Sequence, residues 1–448
     1  MARKPGKHQK VNPPQVLLLG FLSIILIGTA LLRLPLATVD GQPISWIDAL
    51  FTATSAVCVT GLVVVDTGST FSTFGQIVIL TLIQIGGIGF MTFATFFAFL
   101  LGRRISLKDR LVLQQALNQN SIEGIVRLVL QILIFTVVIE LVAGAILAAR
   151  FAIDMPLGQA IYYGIFHSIA NFNNAGFDLM GDFNSFTRYP EDPIISLVIG
   201  SLIFIGGIGF LVMSELYEYR HTRRLSLHTK VVLATTSILT LVGMGIILLI
   251  EWNNPRSLQP LSVMGKFLAS LFQSITPRSG GATTLNVADF QQATIFLTIV
   301  LMFIGASPGS AGGGIKVTTF ATLIGAVWSQ IKGREDVVFF RQRISPVFIY
   351  KSLTVTLSGL FFLIVVSTIL SLTEGDVPFI VILFETTSAF ATVGLSLGLT
   401  PDLSPVGRVI IAVTMFIGRI GPLTIAIALA QRRQKEYYRY PKGKILIG

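Results

Sequence analysis

Four loops of one kind, spaced almost evenly along 448 residues, constrain this chain more than any other feature. They read FTATSAVCVTGL at 51–62, FHSIANFNNAGF at 166–177, FQSITPRSGGA at 272–282 and FETTSAFATVGL at 384–395. Each ends an aromatic-led amphipathic stretch and reaches a glycine, at Gly61, Gly176, Gly281 and Gly394, in steps of 115, 105 and 113 residues. That period is too long for a solenoid unit and suits two membrane helices plus a loop. A second mark follows each glycine: IQIGGIGF at 83–90, FIGGIGF at 204–210, FIGASPG at 303–309 and FIGRIGP at 416–422. Two marks kept in step four times predict four covalently joined copies around a pore.

Apolar runs of about 20 residues, the length that spans a bilayer, recur in a chain that is 52% hydrophobic and only 12% charged. Its mean hydropathy is +0.77. Too little polar material is present to coat a soluble globule, so an all-α polytopic membrane protein is expected. The lone cysteine, Cys58, excludes an intrachain disulfide framework and a cysteine-rich metal site. The first apolar run, 16–32, follows Arg3, Lys4, Lys7 and Lys10 but has no small-residue cleavage site, and it reads as a retained span. The net charge of +11 is not a nucleic-acid footprint, because its basic residues cluster at 3–10, 103–110, 220–230, 332–351 and 432–444. Those positions, at the chain start and after each second helix, are cytoplasmic by the positive-inside tendency, as are both termini. Acidic residues such as Asp66, Asp178 and Glu374 gather in the other connections. There they would concentrate cations at an outer mouth.

This sidedness divides the chain into a cytoplasmic tail (1–14), four units (15–110, 111–224, 225–340 and 341–432) and a second tail (433–448). Each unit is an outer helix, a re-entrant half-helix with its loop, and an inner helix. The expected spans are 15–33, 45–57 and 74–101; 122–150, 157–170 and 193–218; 229–251, 260–274 and 290–330; and 345–372, 376–389 and 404–431. Every unit enters and leaves on one side, so the copies are parallel around a pseudo-fourfold axis, unlike those of an inverted-repeat transporter.

Non-helical backbone at membrane depth is tolerated only where it is buried or lines a water-filled cavity. Rings of backbone carbonyls can replace a cation's water without fixed charge, and glycine lets the chain turn its carbonyls inward. The candidate ion-selecting residues are Val59, Thr60 and Gly61; Asn174, Ala175 and Gly176; Ser279, Gly280 and Gly281; and Thr392, Val393 and Gly394. Thr392-Val393-Gly394 echoes the Thr-Val-Gly core of a tetrameric potassium-channel filter.

The four phenylalanine-to-glycine loops, the GGIGF marks, the segment FIGASPGSAGGGIK at 303–316 and the GRIGP of the last helix resemble the Trk/Ktr/HKT superfamily of potassium transporters. The likeness spans about residues 15–448 and is greatest to Ktr-type membrane subunits, since Trk-type relatives carry extra helices ahead of the first unit. Sodium-preferring plant relatives often have serine at the first filter glycine, so Gly61 implies potassium selectivity. The third loop departs from the family's threonine-alanine-glycine-phenylalanine pattern by reading Ser279-Gly280-Gly281-Ala282. Gly281 is the match by position and Gly280 the alternative. The spacing from Phe272 is also one residue shorter than in the other loops, which Pro277 would explain by shortening the half-helix.

The third inner helix is interrupted by Gly305, Ala306, Ser307, Pro308, Gly309, Ser310, Ala311, Gly312, Gly313, Gly314, Ile315 and Lys316. Glycine and proline cost about 1 and 3 kcal/mol each inside a helix, so a flexible intramembrane loop is expected. The resemblance implies that this loop is a gate beneath the filter; a kinked helix with close glycine packing is the alternative. Arg419 lies within VTMFIGRIGPLTIAI. A cation in lipid costs about 2.5–3.5 kcal/mol, which predicts that it faces the pore as barrier and latch. The other reading is a snorkelling structural arginine. Lys316 is either a gate element or a cytosolic-side anchor. Glu140, Glu385 and His167 read as hydrogen-bonded packing residues and Cys58 as a small packing residue. Asn171, Asn173 and Asn174 either lend amide oxygens or brace the second loop. The GGxG stretches at 86–89 and 206–209 read as close helix contacts.

No phosphate loop, paired metal-ligand spacing or catalytic constellation is present, and His8, His167, His221 and His228 are scattered. The chain is therefore read as a non-enzyme that binds no nucleotide itself. The resemblance implies a homodimer in the plasma membrane, gated by a cytosolic ring of RCK-type regulatory subunits that bind ATP or ADP. The tail YYRYPKGKILIG at 437–448 suits packing at a subunit interface. The expected function is channel-like, potential-driven potassium (K+) uptake, with sodium (Na+) stimulation left open. A secondary transporter of a small anionic solute and a non-transporting scaffold are the competing readings.

Overall fold

A computed structural model describes residues 13–89, 92, 111, 113, 114 and 125–421. The basic clusters at 3–10, 103–110 and 432–444, both expected tails, and the distal parts of the helices expected at 74–101 and 404–431 lie outside those residues.

A long helix, a short helix, a loop and a second apolar helix follow one another four times. The first set is Pro13–Leu32, Trp46–Val57 and Thr73–Ile88. The second is Ile125–Phe151, Leu157–Phe172 and Pro193–Ile208, continued by Phe210–Thr222. The third is Leu227–Glu251, Val263–Ile275 and Gln292–Ile304, continued by Val317–Ile331. The fourth is Pro346–Thr373, Phe379–Phe390 and Pro405–Ile420. Among the described residues the sole paired strands are the two-residue pieces Val338–Phe339 and Gln342–Arg343. The helices Gln15–Leu32, Val126–Phe151, Leu227–Glu251 and Pro346–Thr373 are long and apolar enough to cross a membrane.

Local chemistry sets the helix starts. The side chains of Ser45, Ser72, Asp192, Ser262 and Ser404 each accept a backbone N–H of the first turn, satisfying donors that have no partner inside the helix. Pro193 and Pro405 follow two of these caps, where a missing N–H costs nothing. The apolar helices of sets one, two and four end at Gly89, Gly209 and Gly421, with φ of 88°, 96° and 90°. The helix expected to run unbroken over 193–218 does not. It stops at Gly209 and the chain turns by 97° into Phe210–Thr222.

The packing is cyclic. Thr73–Ile88 lies against Leu157–Phe172, Pro193–Ile208 against Val263–Ile275, Gln292–Ile304 against Phe379–Phe390, and Pro405–Ile420 back against Trp46–Val57. An ion pair between Arg408 and Asp48 at 2.5 Å ties that last contact. Close approach needs the glycines of the second marks: a Cβ at Gly86, Gly206 or Gly418 would collide with the carbonyl of Val57, Phe172 or Phe390, each the last residue of a short helix. The GGxG stretches are thus both backbone contacts and helix ends.

Candidate functional site

The four glycine loops share one backbone conformation. Gly61, Gly176, Gly281 and Gly394 have φ of 90°, 67°, 70° and 94°, and the residues two before them, Val59, Asn174, Ser279 and Thr392, have φ of 57°, 59°, 78° and 49°. Left-handed backbone in residues that have a Cβ is uncommon, and four occurrences at one register mark a built feature. In loops one, two and four the residue before the glycine returns its N–H to a helical carbonyl five residues back, as Thr60 to Ser55, Ala175 to Ala170 and Val393 to Ser388. In the third loop Gly280 closes onto Thr276, four back, at 2.7 Å. This tighter closure accounts for the shorter spacing from Phe272. The hydroxyls of Ser55 and Ser388 accept the N–H of Gly61 and Gly394, each at 3.1 Å. Sequence reasoning passed over these two braces, although a serine six residues before the glycine is common to both loops.

The glycines meet in a closed ring. A Cβ at Gly61 would strike the carbonyl oxygen of Ala175 and come within 3.1 Å of the Gly176 Cα. At Gly176 it would lie 2.8 Å from the Gly281 Cα and 3.1 Å from the Gly280 carbonyl oxygen. At Gly281 it would lie 2.5 Å from the Val393 carbonyl oxygen, and at Gly394 it would strike that of Thr60. Gly281 therefore holds the ring position, and Gly280 packs against Ile203 and Thr276. The carbonyls of Thr60, Ala175, Gly280 and Val393 that edge the ring accept no hydrogen bond from the described residues. Buried carbonyls are nearly always paired, so four that accept nothing from the described residues leave an uncharged group of oxygens with unused lone pairs beside the ring.

Against the third and fourth loops lies the segment 305–316. The helix Gln292–Ile304 ends at Gly305, whose φ is 71°, and helix resumes at Val317. The continuous kinked helix is thus not formed. The chain runs out and back, with Ala306 N–H donating to Gly313 O at 3.2 Å and Val317 N–H to Ala306 O at 3.0 Å. Ser307 N–H donates to Gly207 O at 3.0 Å, and Phe210 N–H to Gly309 O at 3.0 Å. Gly313 N–H donates to the Ser279 hydroxyl at 3.1 Å. Arg419 donates from one guanidinium nitrogen to Ala311 O and from the other to Gly86 O. It thereby ties this segment to the last turn of Thr73–Ile88, where helix carbonyls lack internal partners and a cation is favoured. The guanidinium is turned into the protein rather than snorkelling. Lys316 donates to Gly312 O within the same segment.

Several polar groups brace this assembly. Glu140, on the long helix Ile125–Phe151, accepts from Gln84 at 3.1 Å and from Asn173 at 3.0 Å. The amide nitrogens of Asn171 and Asn174 donate to His167 O and Ile203 O. These three asparagines brace the second loop. His167 is fully buried, donates from Nδ1 to Tyr163 O and accepts Leu179 N–H at Nε2, the partners of a neutral ring. Glu385 accepts from Ser396, Leu397 N–H and Thr400. Arg278, not singled out from the sequence, is buried beside the third loop, where it donates to Thr236 O and to the Thr240 hydroxyl. A charge one residue ahead of Ser279 in an apolar region was the signal for it. Replacing Glu140 with alanine leaves the Gln84 amide nitrogen without its acceptor, at about 1–3 kcal/mol for a buried group left unsatisfied, while the Asn173 amide keeps Gln84 Oε1 and Ile169 O. The expected result is a clear fall in the thermal unfolding midpoint of the purified protein, with Glu140→Gln less affected; an unshifted midpoint would show that Glu140 does not hold the second loop.

Residues 19–440 match the family model described as TrkH, cation transport protein. The chain is similar to the Ktr system potassium uptake protein B of Bacillus subtilis, 45% identical over 99% of this chain and 98% of that one. It is also similar to the potassium/sodium uptake protein NtpJ of Enterococcus hirae, 36% identical over 99% of each. The crystal structure of the potassium transporter TrkH from Vibrio parahaemolyticus shares the fold, with a TM-score of 0.71 at 18% identity over 96% of this chain and 87% of that one.

Proposed function

The chain belongs to the TrkH family of cation transport proteins, and on that premise we propose that it is a potassium-uptake membrane subunit whose four glycine loops form the selectivity filter of one central pore. The observation that carries this reading is the closed ring of Gly61, Gly176, Gly281 and Gly394 with its unpaired carbonyls. Neutral oxygens that replace an ion's water favour a cation without trapping it, as conduction requires. Potassium is the ion because relatives that align over nearly the whole chain are named for potassium uptake. The 305–316 segment is the gate, and Arg419 is the latch that holds it closed.

No phosphate-binding loop is present in the sequence to supply ATP energy, so the membrane potential drives uptake. Work on the gate comes from a cytosolic RCK-type ring that binds ATP or ADP and docks on the basic cytoplasmic segments. The subunit is a homodimer in the plasma membrane with both termini in the cytoplasm, and the tail at 437–448 packs between subunits. Cation transporters of this family are not enzymes, which agrees with the missing catalytic constellation.

Flux into proteoliposomes tests the class of transport. Potassium is expected to move down its gradient with no second solute and to stop at its equilibrium potential. Flux that requires a co-transported anion would favour the solute-transporter reading instead.

A further inference from the structure

We propose that Ser279 makes an ion-binding carbonyl of the fourth loop sense the position of the 305–316 segment. The inference rests on the pore-and-gate reading and adds a coupling between its two parts. Two residues before the ring glycines stand Val59, Asn174, Ser279 and Thr392, all left-handed and all buried. The carbonyls of the first three accept no hydrogen bond from the described residues. The Thr392 carbonyl differs: it accepts the Ser279 hydroxyl at 2.8 Å.

That hydroxyl is also the acceptor for Gly313 N–H at 3.1 Å. A hydroxyl has one hydrogen to give. With Gly313 on its lone pair, the hydrogen is directed at Thr392 O, and each bond polarises and strengthens the other. Glycines allow this approach: a Cβ at Gly312 would lie 2.6 Å from the Ser279 Cβ, and one at Gly313 would lie 2.5 Å from the Ala391 carbonyl oxygen.

While the segment is docked, this layer offers three free carbonyls and one already engaged. When the segment withdraws, Gly313 N–H leaves, the hydroxyl bond to Thr392 O loses that reinforcement and can rotate away, and the Thr392 carbonyl has more of its lone-pair capacity to give an ion. The state of the gate thereby sets potassium affinity in one layer of the filter. Ser279 acts through Thr392 as a positioning residue.

The test compares the apparent potassium affinity of uptake in the native background and in an Arg419→Gln background that releases the segment. With Ser279 the affinity differs several-fold between the two; with Ser279→Ala the difference disappears, whatever the baseline uptake. Should the alanine protein fail to accumulate, Ser279→Cys, a weak donor, gives a much reduced difference. A difference undiminished in either variant overturns the coupling. Potassium uptake that is absent from the wild type, or unaltered by Arg419→Gln, removes the pore-and-gate reading itself and the coupling with it.

Discussion

Gly61→Ser is expected to lower the preference for potassium over sodium by about tenfold or more, a loss of about 1.4 kcal/mol in discrimination. The cause is steric and local. At a φ of 90° any L side chain is strained, and the new Cβ meets the carbonyl oxygen of Ala175 in the neighbouring loop. Left-handed backbone costs a residue with a Cβ about 1–2 kcal/mol. The neighbouring carbonyl must also move, and it is one of the four carbonyls that edge the ring. Ring geometry changes while the helices that carry it stay packed, so the protein still accumulates. Gly281→Ala should act in the same way through Val393, whereas Gly280→Ala meets mainly the Ile203 side chain and should leave selectivity much closer to wild type. Competitive uptake of potassium, rubidium and sodium reads all three. Equal loss from Gly280→Ala and Gly281→Ala would mean that the ring glycine of the third loop has been misplaced.

Arg419→Gln is expected to raise potassium uptake severalfold and to remove most of its dependence on a cytosolic partner. The wild-type guanidinium holds Ala311 O on the 305–316 segment and Gly86 O on Thr73–Ile88. Hydrogen bonds to a charged group contribute about 1.5–3 kcal/mol each, so losing the one that reaches Ala311 shifts a closed-to-open balance by roughly tenfold or more. On the proposed pore reading, removing the cation also removes a repulsive charge from the ion's path. Arg419→Lys keeps the charge but not the two-pronged geometry, and should fall between the two. Uptake that remains fully dependent on the partner in Arg419→Gln would reject the latch.

The loops, their period and the interruption at 305–316 were legible because glycine carries its reason with it, a left-handed turn or a close approach, whereas the helix ends at Gly89, Gly209 and Gly421 were not. Arg419 was legible for a similar reason, as a charge too expensive for lipid. What escaped depends on partners far away in the chain. The turn at Gly209 was read as unbroken helix because apolar residues continue past it. The break is fixed instead by the 305–316 segment, where Gly309 O receives Phe210 N–H and Pro308 O leaves no room for a Cβ at Gly209. In the same way, Glu140 could be recognised as a hydrogen-bonded carboxylate, but not that its partners are Gln84 and Asn173 on two other elements. The third loop offered two adjacent glycines that composition could not separate. Backbone φ separates them, since Gly281 is left-handed at 70° and Gly280 is not.

The central claim is that a potassium-sized ion sits inside the ring edged by the carbonyls of Thr60, Ala175, Gly280 and Val393. Thallium(I), an electron-rich substitute for potassium, locates that ion directly by its anomalous scattering in crystals of the protein. The account predicts a peak enclosed by those four carbonyls and lost when potassium is supplied in excess. A ring empty of thallium in protein that still transports potassium, or a peak confined to some other part of the molecule, would contradict it.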